Sequence, residues 1–293
     1  MHNHNCFVNH MGIWLMESLW ITQAVQAIQD GIYKAVEIQS ATGTRETFDV
    51  TRDGTAVISI NGPMMKGFSK YGGASTVFIR QQLRSAVADK DVSAILLHVD
   101  SPGGHVAGTQ DLANDVINAN KIKPVFAQID DLGASASYWV ASQARAIFAN
   151  ETAQVGSIGV VAVVHDSSEA FKAEGVKVHV VSTGSHKGAF TQGTEVTEDQ
   201  LSDLQSNIDS INNIFLNAVK KGRGMDINSV RAVADGRVFI ASKAKELGLV
   251  DGVQSMDDTF KYIQNYLKTS ARNSRAEDLG TRLESMITAE PGK

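Results

Sequence analysis

The sequence predicts an α/β domain built on a largely parallel sheet. Two observations carry this reading. Apolar runs such as SAILLHVD (93–100) suit strands covered on both faces, and they alternate along the chain with helix-like amphipathic stretches. The length of 293 residues, with 43% hydrophobic and 20% charged residues, is enough for one large buried core plus terminal extensions.

In chain order, residues 1–44 read as an appended segment in which Trp14, Leu15, Leu19, Ile21 and Val25 suit an amphipathic helix. The core, 45–263, begins with a strand at TAVISING near Thr55, followed by a helix over 74–89 and the strand 93–100. The turn SPGG (101–104) leads to a helix over 109–120, then to the strand KPVFAQID from Lys123 and a helix start at Ser135. Further strands are expected at 144–150, 156–164 and 177–184, with a helix at 168–174 between the last two. A long amphipathic helix is expected over 197–220, opened by Thr197 as cap and Glu198 as early carboxylate. Residues 264–293 are polar and weakly periodic, which predicts a mobile tail or a short helix outside the core.

The formal net charge of −5 provides no broad basic footprint for nucleic acid. The single cysteine, Cys6, cannot form an internal disulfide, and its polar terminal position argues against a thiol nucleophile. The apolar run at 11–28 is interrupted by Glu17, Gln23 and Gln26, too polar for a comfortable transmembrane anchor, and it lacks the pattern of a secretory signal. A cytoplasmic protein is therefore expected. No His, Cys and carboxylate cluster has metal-ligand spacing, so neither metal nor cofactor is expected.

The candidate chemistry lies in small-residue turns. In DLGASASYWVAS (131–142), Ser135 sits at a helix start among Gly133, Ala134 and Ala136, where free N–H groups favour a developing anion. The plain alternative is that Ser135 is only an N-cap. SPGG places Gly103 and Gly104 directly after a buried strand, so their N–H groups and that of Ala136 are oxyanion candidates; a tight turn is the alternative. A serine nucleophile needs a base. Among the histidines, His98 and His179 fall within expected strands, whereas His105 and His165 lie beside turns and remain open. Lys187, in the small-residue loop STGSHKGAF, becomes a usable base if desolvated; otherwise it is a solvated surface lysine.

Taken in order, SPGG, ASASYW, GSIGV, STGSHK, KKGRGM, ADGRVF and AKELGLVD resemble the signal peptide peptidase A family, which includes the prohead proteases of tailed phages. The resemblance spans about 55–258 and implies a ClpP/crotonase-type fold of repeated ββα units that oligomerises. It implies a Ser/Lys-dyad serine endopeptidase without cofactor, with Ser135 as nucleophile, Lys187 as base (187 − 135 = 52 positions on), Ser157 orienting the lysine and the glycine turn as oxyanion loop. Ala136-Ser137 stands where many members have Gly-Gly, which bears on the shape of the pocket. The implied partners are protein or peptide substrates, further copies of the chain, and scaffold, portal and capsid proteins, in a host cytoplasm or a prohead. In related oligomers the lysine can come from a neighbouring subunit. Three other readings are a signal-peptide-degrading or general cytosolic peptidase, a non-catalytic head-assembly protein, and a crotonase-like acyl-CoA enzyme. The last lacks support, because such enzymes do not need the Ser135/Lys187 pair.

Overall fold

A computed structural model describes residues 14–16, 48–67 and 73–288. Most of the N-terminal segment, with Cys6 and Trp20, and residues 289–293 lie outside the described residues. The main sheet contains β2 (Asp49–Val50), β3 (Thr55–Asn61), β6 (Ala94–Ser101), β8 (Val125–Ala134), β9 (Ala146–Ala149), β10 (Gln154–Gly156), β11 (Val238–Ile240) and β12 (Gly252–Val253). Its path is β11-β10-β8-β6-β3-β2, with β9 also on β8 and β12 on β9. The inner pairings are parallel, and β2 and β11 are antiparallel at the ends. A second, small sheet runs in the order β1 (Trp14–Met16), β7 (Gly103–His105), β4 (Met64–Met65) and β5 (Ala74–Ser75). The mixed α/β architecture matches the expected class.

Burial on both faces explains the continuous apolar strands. Ile95, Leu97 and Val99 of β6 point into the main core with α1 (Thr76–Ala88) and α2 (Thr109–Ala119). Ala94 and Leu96 point the other way, with Phe126, Phe148 and Ile263. Ile263 belongs to α8 (Met256–Thr288), a helix that runs straight through the boundary expected at 264 and packs Tyr266 and Leu267 on this second face. The fully buried Gln128 of β8 pins its first turn. The Gln128 amide donates to Asn150 Oδ1 (3.0 Å) and the Gln254 carbonyl (3.2 Å), and its Oε1 accepts from the Thr259 hydroxyl at 2.6 Å.

The helix after Ser135, α3 (Ala136–Ala141), is buried at every position. Tyr138 donates to the Leu249 carbonyl at 2.9 Å, and burial pushes its phenol pKa well up. Trp139 stacks on Phe215 of α5 (Glu198–Arg223), with centroids 4.9 Å apart and planes 9° from parallel. Thr197 and Gln200 open α5 with a capping box, as the sequence predicts. At its other end Arg223 makes a bidentate pair with Asp251 at 2.9 and 3.0 Å, and Asp251 also accepts the Ile147 N–H.

Three expectations need correction. Trp14–Met16 forms a strand, where an amphipathic helix is expected. The strand from Lys123 extends through Asp131–Ala134, so β8 reaches the residue before Ser135. Residues 177–184 form no strand, and of the strand expected at 156–164 only Gly156, the last residue of β10, lies in one, with a single bridge at Val161; Val163, Val180 and Val181 are exposed. A strand needs a partner edge, and among the described residues no strand pairs with 177–184.

Gly222 marks the closest approach of α5 to the end of α3: a Cβ there would lie 1.9 Å from the Ser142 carbonyl oxygen. Gly222→Ala is expected to force the two helices apart and cost about 2–4 kcal/mol. A urea melt of the variant against the unaltered chain checks this, and an unchanged midpoint would contradict the packing.

Candidate active site

Ser135 occupies the junction between β8 and α3, and its backbone is strained. It has φ 55° and ψ −117°, a region that side chains rarely enter. It sits at the N-cap position, yet its side chain makes no capping hydrogen bond. The plain alternative of an N-cap serine therefore fails. Ser135 keeps a conformation that costs on the order of 1–3 kcal/mol without the usual capping return. The Ser135 N–H donates to the Gly156 carbonyl at 2.8 Å. Ser157 follows directly, also at positive φ (47°), with its N–H on the Arg237 carbonyl at 2.7 Å. Among the described residues, only Phe190 joins these two serines as a non-glycine residue with positive φ.

The glycine turn lies beside this junction. Ser101 pairs with Gly133 of β8, and the chain turns through Pro102 into Gly103, at φ 93°. Gly103 donates its N–H to Ser101 Oγ at 3.2 Å, which makes it a turn former more than a free oxyanion donor. Gly104 has to lack a side chain, because a Cβ would lie 1.9 Å from the Met64 carbonyl oxygen. Ala136, first residue of α3, has its N–H in the turn that no intrahelical carbonyl can reach.

Sequence reasoning missed the part played by Ser137. Its side chain is fully buried. The hydroxyl lies 2.9 Å from the Ser101 carbonyl and 2.8 Å from that of Ala134, and it accepts the Ala134 N–H at 2.9 Å. The departure from Gly-Gly thus ties the nucleophile turn to the glycine turn, and a buried serine among small residues carries no sequence signal for this.

Lys187 is not brought to the serines within one chain. Its side chain is exposed and forms no hydrogen bond or ion pair among the described residues, and neither Ser135 nor Ser157 has a bond to it. His165 is exposed. His105 lies in β7 itself. His98 is a structural residue, with Nε2 2.6 Å from Asp130 Oδ2, while Asn150 donates to Oδ1 of the same carboxylate at 3.0 Å.

A family model, peptidase family S49, matches residues 118–270, more than half of the 293. The chain belongs to peptidase family S49. Within the family's wider circle it is 28% identical over 235 residues to an Enterococcus faecium protein provisionally named signal peptide peptidase SppA, covering 77% of this chain and 67% of that one. It is 31% identical over 234 residues to capsid assembly protease C of Escherichia phage lambda, covering 76% of this chain and 51% of that protein. It is 32% identical over 206 residues to protease 4 of Haemophilus influenzae, covering 69% of this chain and 33% of that protein. The chain thus spans about half the length of the phage relative and a third of the last. The S49 match contains Ser135, Ser157 and Lys187, while the glycine turn precedes it.

Asp100, just before the glycine turn, has its carboxyl pKa raised by burial and then by neighbouring Asp131 and Asp130; the Leu132 N–H and His98 pull the other way. A raised folded-state pKa means that ionising Asp100 opposes folding. Its favourable contribution is present below the ordinary carboxylate pKa and is lost as pH rises through the folded value. Asp100→Asn is accordingly expected to raise the melting temperature at pH 7 and to leave it nearly unchanged at pH 3. Melts at the two pH values check the sign.

Proposed function

We propose that the chain is a serine endopeptidase in which Ser135 is the nucleophile, Lys187 the general base and Ser157 the group that orients the lysine. The observation that carries this is the uncapped, strained Ser135 held against Gly156 beside a glycine turn. The Ser135 hydroxyl loses its proton to neutral Lys187 as Oγ bonds to the peptide carbonyl carbon. N–H groups of Ala136 and Gly104 hold the oxyanion. The C–N bond then breaks as the lysine returns the proton to the leaving amine, and water hydrolyses the acyl-serine.

The position of Lys187 supports a homo-oligomeric enzyme. A lysine serves as base only when burial disfavours its charge, and in one chain this side chain is exposed. The same stretch leaves Val163, Val180 and Val181 54%, 45% and 98% exposed. A neighbouring copy that covers these valines and accepts the lysine beside its own Ser135 accounts for both features.

For the substrate, the likeness to capsid assembly protease C of phage lambda supports cleavage of scaffold and head proteins, with scaffold, portal and capsid proteins as partners. The likeness to the Enterococcus faecium protein supports a second reading, degradation of signal peptides by the same chemistry. No helix among the described residues is long and apolar enough to cross a membrane.

Ser135→Ala is expected to abolish hydrolysis of a denatured protein substrate, and Ser135→Gly to do the same while stabilising the fold by about 1 kcal/mol, since glycine adopts this backbone freely. Hydrolysis rates and urea melts test the pair together, and a variant near the unaltered rate would remove Ser135 from the mechanism. Mixing the separately inactive Ser135→Ala and Lys187→Ala chains is expected to restore part of the activity, because some interfaces then pair an intact serine with an intact lysine. Proven subunit exchange without recovery would place both residues in one chain.

A further inference from the structure

Resting on the peptidase reading above, we infer that Trp14–Met16 occupies the peptide-binding cleft as a substrate would, with Met16 in the place of the residue before the scissile bond. The cleft then takes an extended peptide with a long apolar side chain at that position, and the chain's own N-terminal segment competes for it.

The register carries this assignment. β1 adds to the glycine turn as an antiparallel strand, with Trp14 opposite His105, Leu15 opposite Gly104 and Met16 opposite Gly103. Adding a strand to an exposed sheet edge is a general way of holding a peptide: the main chain supplies affinity and alternate side chains supply specificity. The direction matters as much as the pairing. The segment runs from His105 towards Gly103, and its last residue lies one position beyond the proposed oxyanion donor Gly104, the direction in which the acyl side of a scissile bond approaches.

The Met16 side chain points to the same place. Met16 is only 3% exposed and forms one wall of a cavity of about 310 Å³. Ser157, Ile158 and Ile208 of α5 line it together with the polar Gln205, Asp209 and Asp235. Ser157 follows Gly156, the residue whose carbonyl accepts the Ser135 N–H, so this cavity begins one residue from the nucleophile's backbone partner. Space remains beside Met16, and the Asp209 and Asp235 carboxylates lining the cavity disfavour an acidic side chain there. Ser135 is itself only 1% exposed.

An occupant tethered to the enzyme lowers the fraction of chains competent to bind, so it raises the apparent KM and leaves kcat unchanged. The test uses the full chain and a dye-labelled peptide, Trp-Leu-Met. In the Ser135→Ala background, where nothing is cut, adding Leu15→Pro and Met16→Glu is expected to tighten peptide binding at least tenfold by removing the competitor. A Trp-Leu-Glu peptide is expected to bind at least tenfold more weakly than Trp-Leu-Met. Equal affinity with and without the β1 substitutions would overturn the assignment. Hydrogen exchange needs no β1 variant: saturating Trp-Leu-Met is expected to speed exchange at the Leu15 and Met16 amides of the Ser135→Ala chain, and unchanged exchange with peptide bound would also overturn it. With Ser135 intact, the β1 variant is expected to cut peptides carrying Met before the scissile bond at lower KM and at a kcat within twofold. Tighter binding without any cleavage would sink the peptidase reading and keep the cleft; cleavage with KM and affinity indifferent to β1 would do the reverse.

Discussion

Where β8 gives way to α3, one backbone hydrogen bond, from the Ser135 N–H to the Gly156 carbonyl at 2.8 Å, holds two positive-φ serines in fixed relation. It continues the parallel pairing of β8 and β10 one residue past the end of the strand, so the geometry of the sheet reaches directly into the nucleophile turn. Each strained serine costs on the order of 1–3 kcal/mol, and such strain persists only where the surroundings leave the chain no alternative. Here the surroundings are rigid. Tyr138 is anchored to Leu249, Trp139 lies flat on Phe215, and Ser137 grips the carbonyls on both sides of the junction.

The molecule divides into a tightly determined part and an open one. From β3 to β10 most apolar side chains among the described residues are buried, and the backbone turns where glycine leaves space for a neighbouring carbonyl, as Gly104 does for Met64. From 160 to 197 the chain has one short helix, α4 (Ser168–Ala173), in which no residue is buried. Ser135 and the glycine turn belong to the first part and Lys187 to the second. Under the proposed mechanism, such a division builds the electrophile-binding half in advance and leaves the base to an encounter with a second copy.

Much of this was legible in the sequence. Apolar runs such as 93–100 announce strands covered on both faces, because few other arrangements bury every side chain of such a run. The small-residue turns at 101–104 and around Ser135 were legible too, since close backbone approach excludes larger residues. What failed followed from partners that sequence does not name. The alternating valines of 177–184 have strand propensity and no edge to join. Trp14–Met16 has helical periodicity around it, yet an edge at the glycine turn claims it as a strand. The polar composition after residue 264 hides Tyr266 and Leu267, which join Phe260 and Ile263 in holding α8 on the sheet. The structural use of Ser137 depends on two carbonyls from different strands, which no local pattern encodes.

The buried amide of Gln128 bears on how the protein can be divided. Its partners come from three separate stretches, at Asn150, Gln254 and Thr259. A chain cut after β12 would leave the amide oxygen without its Thr259 partner in an apolar interior, at a cost of the order of 1–3 kcal/mol, and would also uncover Phe126 and Phe148. The smallest piece that folds by itself therefore ends past Leu267, well inside what looks in sequence like a dispensable polar tail. The same amide couples strand register to helix placement, so a one-residue slip of β8 would unseat α8 as well, and the long helix acts as a proofreader of the sheet it covers.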